Sequence, residues 1–296
     1  MTDTTVRSTI DLDLDLVEEL EEKAAHIRKQ IVKGAYLIPG TVHLGGPLSA
    51  TDVAVALYHH FLGFDPENLD DPDRNRFILS KGHNGVLLYN ILADLGLYTF
   101  EEVFNGYNKP RHPFGMHPNM HYVRGVEAST GSLGHGLSLG VGISLANRGD
   151  GRTARTFVMT GDGEMEEGSN WEAIMYAGSH HLSNLVCVLD FNHSTGAFAH
   201  GEHMVVKWKQ AFDAFGWDVV EINGNDMKEV VGALSALPPV THDGKGKPLA
   251  IISNTVKGYG VDFMNGPKWH LGSINDENLK LAIESIDRNK PARRAK

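Results

Sequence analysis

The chain has 296 residues, 41% of them hydrophobic, with 37 acidic against 27 basic side chains for a formal net charge of −10 and a single cysteine. This length accommodates one large α/β domain or two small ones, the acidic balance excludes a general nucleic-acid binder, and the lone Cys187, set in the apolar run NLVCVLDF, excludes a disulfide framework. No run approaches the roughly 18–20 apolar residues of a membrane-spanning helix, and the opening MTDTTVRSTIDLDLDL has no signal-peptide core, so a soluble, cytoplasmic protein with no membrane partner is expected.

Residues 14–34 read as an amphipathic helix, with Val17, Leu20, Ala24, Ile27 and Ile31 spaced three and four apart. Ser49 with Asp52 predicts the capped start of a second helix through VAVALYHHFL. The segment 133–147 is apolar yet carries Gly134, Gly136, Gly140 and Gly142, which points to close approach by a backbone or a ligand. The second half alternates. Strand-like runs TFVMT (156–160), LVCVLDF (185–191), DVVEI (218–222) and LAIISNT (249–255) are separated by helix-like segments such as 169–181 and 227–237. That order predicts a parallel sheet with helices on both faces, in one domain over 1–285 followed by a basic tail, 286–296, whose run RNKPARRAK reads as a solvated end.

Such sheets bind ligands outside the carboxyl ends of their strands. Asp162, in MTGDGEMEEGSNW, and Asn192, in LDFNHS, stand at two such ends. A right-handed crossover between neighbouring strands brings both to one edge. A carboxylate and an amide oxygen are hard ligands for Mg²⁺ or Ca²⁺, and Mg²⁺ completes its shell with water and phosphate oxygens. Gly161 and Gly163 let backbone amides close around such an anion. GDG alone reads first as a plain tight turn; its pairing with Asn192 reverses that in favour of the metal reading. GxxxxGK[ST] is absent and the glycines do not fit GxGxxG. Neither HExxH nor CxxC occurs, so a zinc site is not expected.

GDG, a spacer just under thirty residues long, then Asn after a strand resembles the thiamine diphosphate-binding motif. The flanking text resembles transketolases: TVHLGGPLSATDV, RFILSKGHNGVLLYNILA, GMHPN, GVEASTGSLGHGLS, GDGEMEEGSNWEA, AFGWDVVEING, NTVKGYGVDFM and KWH match in order from about residue 20 to 285. The resemblance implies the thiamine diphosphate-binding fold. By position it gives Asp162, Asn192 and the Ser194 carbonyl to Mg²⁺ (Ca²⁺ or Mn²⁺ can substitute), and Gly161 and Gly163 to the diphosphate. His83 would reach the cofactor, and Gly131, Ser132 and Leu133 would lie near its rings. His43, His117 and His270 would surround the reacting carbon and bond sugar hydroxyls, with His270 also at the cofactor. Glu167 would join an acidic network linking paired sites. A neutral imidazole suits hydroxyl contacts and proton shuttling. Of the sixteen histidines, His59, His60, His180, His181 and His242 read as ordinary surface or core residues.

The sequence departs from the family in HSTGAFAHG after Asn192, with His193 and His200, in His135 where Gln is common, and in Leu271 between histidine and glycine. These touch the cofactor loop and substrate funnel. No room remains after 285 for the pyrimidine-binding and C-terminal domains of a full transketolase. The resemblance therefore implies the N-terminal subunit of a split enzyme, EC 2.2.1.-, passing a two-carbon ketol unit from a ketose to an aldehyde. A separate pyrimidine-binding subunit would supply the activating glutamate, in a two-plus-two heterotetramer. An acyloin or 2-oxoacid enzyme and a non-catalytic paralogue are the alternative readings.

Overall fold

The computed structural model describes residues 12–199 and 206–290; His200 and positions 291–296 of the basic tail lie outside them. Among the described residues one parallel sheet has five strands, β1 (Arg76–Leu79), β2 (Thr156–Gly161), β3 (Leu185–Phe191), β4 (Asp218–Asn223) and β5 (Leu249–Asn254). They lie in the order β1-β2-β3-β5-β4. Four coincide with the strand-like runs of the sequence. The fifth, β1, is only RFIL, too short for its periodicity to show.

Helices α1 (Leu14–Leu37), α2 (Gly45–Ser49), α3 (Thr51–Ala56), α4 (Gly85–Asp94) and α5 (Phe100–Gly106) precede β2. Then follow α6 (Gly136–Gly149), α7 (Gly168–Ser179), α8 (Trp208–Ala214), α9 (Met227–Ser235) and α10 (Asp276–Asn289). The pleat of the sheet divides the core between its two faces. Phe157, Met159, Val186 and Val188 join the cluster built with α1, α3, α4, α9 and α10. Val158, Leu185, Cys187 and Leu189 join the cluster under α6, α7 and α8. Burial on both faces explains why these strands read as continuous apolar runs. Cys187 is enclosed, and burial pushes its thiol up to about 12, so it is inert.

The amphipathic stripe of α1 is realised: Val17, Leu20, Ala24, Ile27 and Ile31 are all buried. Asp13 caps the helix by accepting from the Asp15 and Leu16 amides. Expectation fails at Ser49 and Asp52. Ser49 ends α2, and its hydroxyl donates to the Gly46 carbonyl and Asp190 rather than capping α3. Asp52 is taken by Arg28 of α1 in a buried ion pair. Both side chains are committed to tertiary partners, and the run beyond α3 continues as a π-helical turn, Leu57–Phe61. The glycines of α6 serve close packing: a Cβ on Gly140 would stand 2.4 Å from Val158 Cγ2 of β2. At the chain's end α10 runs beyond position 285, with Ile286 in the core.

Candidate active site

Parallel pairing sets Gly161 opposite Asp190, so β2 and β3 end together. Asp162 and Asn192 leave the sheet at the same edge and line one cavity of about 280 Å³. Asp162 is 2% exposed; its Oδ1 accepts from the Gly163 amide at 3.1 Å and its Oδ2 from the Ser194 amide at 2.9 Å. Burial raises its pKa, Lys81 opposes the rise, and Asp190 adds to it. Asn192 turns its amide nitrogen to Ser49 Oγ at 3.2 Å and Asp190 Oδ2 at 3.3 Å. Those two acceptors fix the amide's orientation and leave Asn192 Oδ1 buried without a partner. A buried orphan acceptor is costly unless something positive meets it. The donor set is all oxygen: among the described residues no three His, Cys, Asp or Glu side chains could hold a metal, so a cation here would rest on one carboxylate, one amide and backbone oxygens. That suits a hard cation such as Mg²⁺, Ca²⁺ or Mn²⁺ and not a metal that prefers thiolate or imidazole ligands.

Cationic groups line the same cavity. Lys81, 2% exposed, donates to Asp190 Oδ2 at 2.5 Å. Asp190 also accepts from Ser49 and from Thr255 at 2.5 Å, and so anchors the floor. Lys257 donates to the Gly196 carbonyl at 2.5 Å; burial lowers its pKa to about 8, with Lys81 adding to the fall. Gly196 sits in a short hairpin in which Ser194–Thr195 pairs with Phe198–Ala199, the unusual text after Asn192. A cavity with two buried ammonium groups, bare glycines at 161 and 163, and an orphan carbonyl fits a diphosphate with its metal.

Four histidines close the other side. The His43 ring lies 5.2 Å from His83, 5.0 Å from His270 and 6.5 Å from His117, centroid to centroid. Val42–His43 pairs with Leu271–Gly272 as a two-residue ribbon, which brings His270 to this wall. Burial lowers the pKa of all four, to about 4 for His43 and His270. They are neutral at pH 7, each able to donate and accept one hydrogen bond. Nδ1 of His43 and of His270 are buried without partners. Gly131, at φ +148°, admits His117: a Cβ there would meet its ring at 2.9 Å.

Of the residues expected at the site, His43, His83, His117, Gly131, Leu133, Gly161, Asp162, Gly163, Asn192, Ser194 and His270 all line the cavity. Ser132 and Glu167 do not; both are exposed. In the sequence Glu164 is one member of an acidic run with Glu166 and Glu167. In the fold it is buried and accepts from Ser80 Oγ at 2.5 Å and from the Gly134 and Gly161 amides, tying the glycine loop to the end of β2. Lys81 and Lys257 are likewise site residues that motif reading misses. Their only signal is a lysine beside glycine in SKGH and TVKGYG, at strand ends.

The family model "Transketolase, thiamine diphosphate binding domain" matches residues 38–290. The chain is 37% identical over 271 residues to an apulose-4-phosphate transketolase subunit of Actinobacillus succinogenes, covering 91% of this chain and 96% of that one. It is 34% identical over 276 residues to the 6-deoxy-6-sulfo-D-fructose transketolase subunit SqwG of a Clostridium species, covering 91% and 97%. The transketolase of Campylobacter jejuni superposes with a TM-score of 0.81 at 28% identity over 93% of this chain, which spans only 43% of that longer protein. The chain belongs to the transketolase family: it carries that family's thiamine diphosphate-binding domain and matches, nearly end to end, relatives named as one subunit of a transketolase.

Proposed function

We propose that this chain is the diphosphate-holding half of a two-chain transketolase, which moves a two-carbon ketol unit from a ketose to an aldehyde (EC 2.2.1.-). The observation that carries the reading is Asn192 Oδ1, a buried acceptor without a partner in the same cavity as Asp162 and two buried lysines. Asp162, Asn192 Oδ1 and the Ser194 carbonyl would hold Mg²⁺, and Ca²⁺ or Mn²⁺ could use the same oxygens. The Gly161–Gly163 backbone, Lys81, Lys257 and His83 would meet the diphosphate, with Gly131, Ser132 and Leu133 towards the rings. Bound thiamine diphosphate supplies the electron sink for cleavage beside a carbonyl. The chain's own contribution is position. Neutral His43, His117 and His270 can orient donor hydroxyls, each imidazole donating one hydrogen bond and accepting another.

The partner would be a separate pyrimidine-binding chain, as the word "subunit" in the relatives' names supports. Self-association, two copies with two partners, is supported by an apolar surface on α6 and α7, where Leu139, Met175 and Tyr176 are 43%, 52% and 41% exposed. Glu167, exposed at the start of α7, would enter an acidic network there. A reducing cytoplasm suits an unpaired, buried cysteine. Calorimetric titration with thiamine diphosphate, with and without Mg²⁺, tests the reading: Mg²⁺-dependent binding is expected, and a chain that ignores the cofactor would refute it.

A further inference from the structure

A second cavity, about 370 Å³ in volume, opens where α1, α3, the turn from β4 into α9, the Tyr259–Gly260 loop and the end of α10 meet. It shares no lining residue with the candidate active site. Its volume is within the range of roughly 300–1,000 Å³ typical of small-molecule pockets. It lies at the carboxyl end of β4, whose last residue Asn223 lines it, and carboxyl ends are where open α/β sheets bind ligands.

The wall is built rather than incidental. Arg28 is 5% exposed, and its two terminal nitrogens are fixed by Asp52 and the Leu48 carbonyl. Its guanidinium stacks over the Tyr259 ring at 4.8 Å. Its Nε is buried with no partner. Gly260, at φ +91°, leaves that side bare; a Cβ there would meet Arg28 Cδ at 2.8 Å and Nε at 3.3 Å. Two helical turns earlier, Glu21 presents a carboxyl to the same cavity. Burial raises its pKa, with Lys228 opposing the rise, so it too gains from a hydrogen-bond donor. Asn225 braces the wall by donating to Asp52 and the Ser49 carbonyl, and is saturated.

The charged lining consists of Glu21, Asp52 and Asp226 against Arg28, Lys228 and Lys290, three of each sign. A balanced wall gives no net attraction to a phosphate or a multivalent cation. What it needs is an acceptor for Arg28 Nε and a donor for Glu21. One hydroxylated molecule supplies both, because each hydroxyl donates and accepts. We propose that this cavity is a second small-molecule site, taking a neutral polyhydroxylated ligand, a sugar or polyol without phosphate, held between Arg28 and Glu21.

The test uses the full chain, titrated with glycerol, ribitol, myo-inositol and D-glucose by calorimetry and saturation-transfer NMR, with glycine and inorganic phosphate as charged comparators. At least one polyol should bind saturably, with a dissociation constant of about 10 mM or tighter. Glu21→Ala removes the acceptor at a position where alanine favours the helix, and Ala25→Leu fills the cavity from the same helix. Each should weaken binding about tenfold or more, while a control substitution at an exposed residue outside both cavities, Tyr122→Ala, should not. Absence of saturable binding by all four polyols overturns the proposal. So does binding unchanged in both variants, or tighter binding by glycine or phosphate that both variants weaken.

Discussion

Replacing Asp162 with Asn separates what the carboxylate does for the fold from what it does for the ligand. The side chain keeps its shape and one acceptor oxygen for the Gly163 or Ser194 amide, each now held by the carboxylate. One hydrogen bond to a carboxylate lost has a net value of about 1.5–3 kcal/mol. Against it stands the burial that disfavours the wild-type charge and raises this carboxyl's pKa, a cost the amide does not carry. The two offset, so the ligand-free variant should melt within a few °C of wild type, the shift about 1 kcal/mol produces. Binding behaves differently. A unit charge about 4 Å from another, at an effective dielectric near 20, is a ~4 kcal/mol interaction, or roughly 1,000-fold in affinity. A divalent ion in direct contact loses at least that much. Asp162→Asn should therefore lower Mg²⁺-dependent affinity for thiamine diphosphate by about 1,000-fold or more, while Asn192→Ala, which removes a neutral oxygen, should lower it by roughly 10- to 100-fold. Calorimetry with a parallel thermal melt reads both quantities. Wild-type affinity in Asp162→Asn, or an equal loss in the two variants, would refute the metal assignment.

His117→Ala and His43→Ala should each raise KM and lower kcat/KM for a ketose donor in the assembled enzyme, leaving cofactor affinity within about threefold; a variant that loses cofactor and substrate together would contradict the hydroxyl-binding role. His43 and His270 have folded pKa values lowered to about 4 from 6.5, so the unfolded chain binds more protons. Their contribution to stability is complete above about pH 6.5 and is lost as pH falls towards 4, and a urea series should show that loss shrinking in His43→Asn. Gly140→Ala should destabilise by about 1–3 kcal/mol, because its Cβ would stand 2.4 Å from Val158 Cγ2, whereas Gly142→Ala, whose Cβ meets nothing within 4 Å, should be neutral or stabilising in a urea melt.

Periodicity made the second half of the chain legible: four strands, α7 and α9 stand where apolar runs and helical spacing put them. Asp162 and Asn192 were legible as a pair because parallel neighbours end at one edge, whatever the residues between. What sequence could not show was long-range partnership. Ser49 and Asp52 look like a local cap, but their bonds go to Asp190 and Arg28, 141 and 24 residues away. Glu164 sits in a run of three acids, and only the fold turns it inward to Ser80 and the Gly134 amide while Glu166 and Glu167 stay exposed. Lys81 and Lys257 are common residues in common surroundings; enclosure beside Asp190 and Gly196 is what makes them part of the site. Ser132, given by the family's motif, does not line the cavity, and Glu167, expected in a network between paired sites, is exposed at the N-terminus of α7.

The central claim is that this chain holds one half of an active site completed by another. The most direct measurement is ketol transfer from a ketose to an aldehyde, with saturating thiamine diphosphate and Mg²⁺, by the purified chain alone and after titration with a candidate pyrimidine-binding chain isolated by co-purification. No transfer is expected from the chain alone, with activity rising in proportion to added partner and saturating near one to one. Transfer by the chain alone at the rate of the mixture would contradict the account.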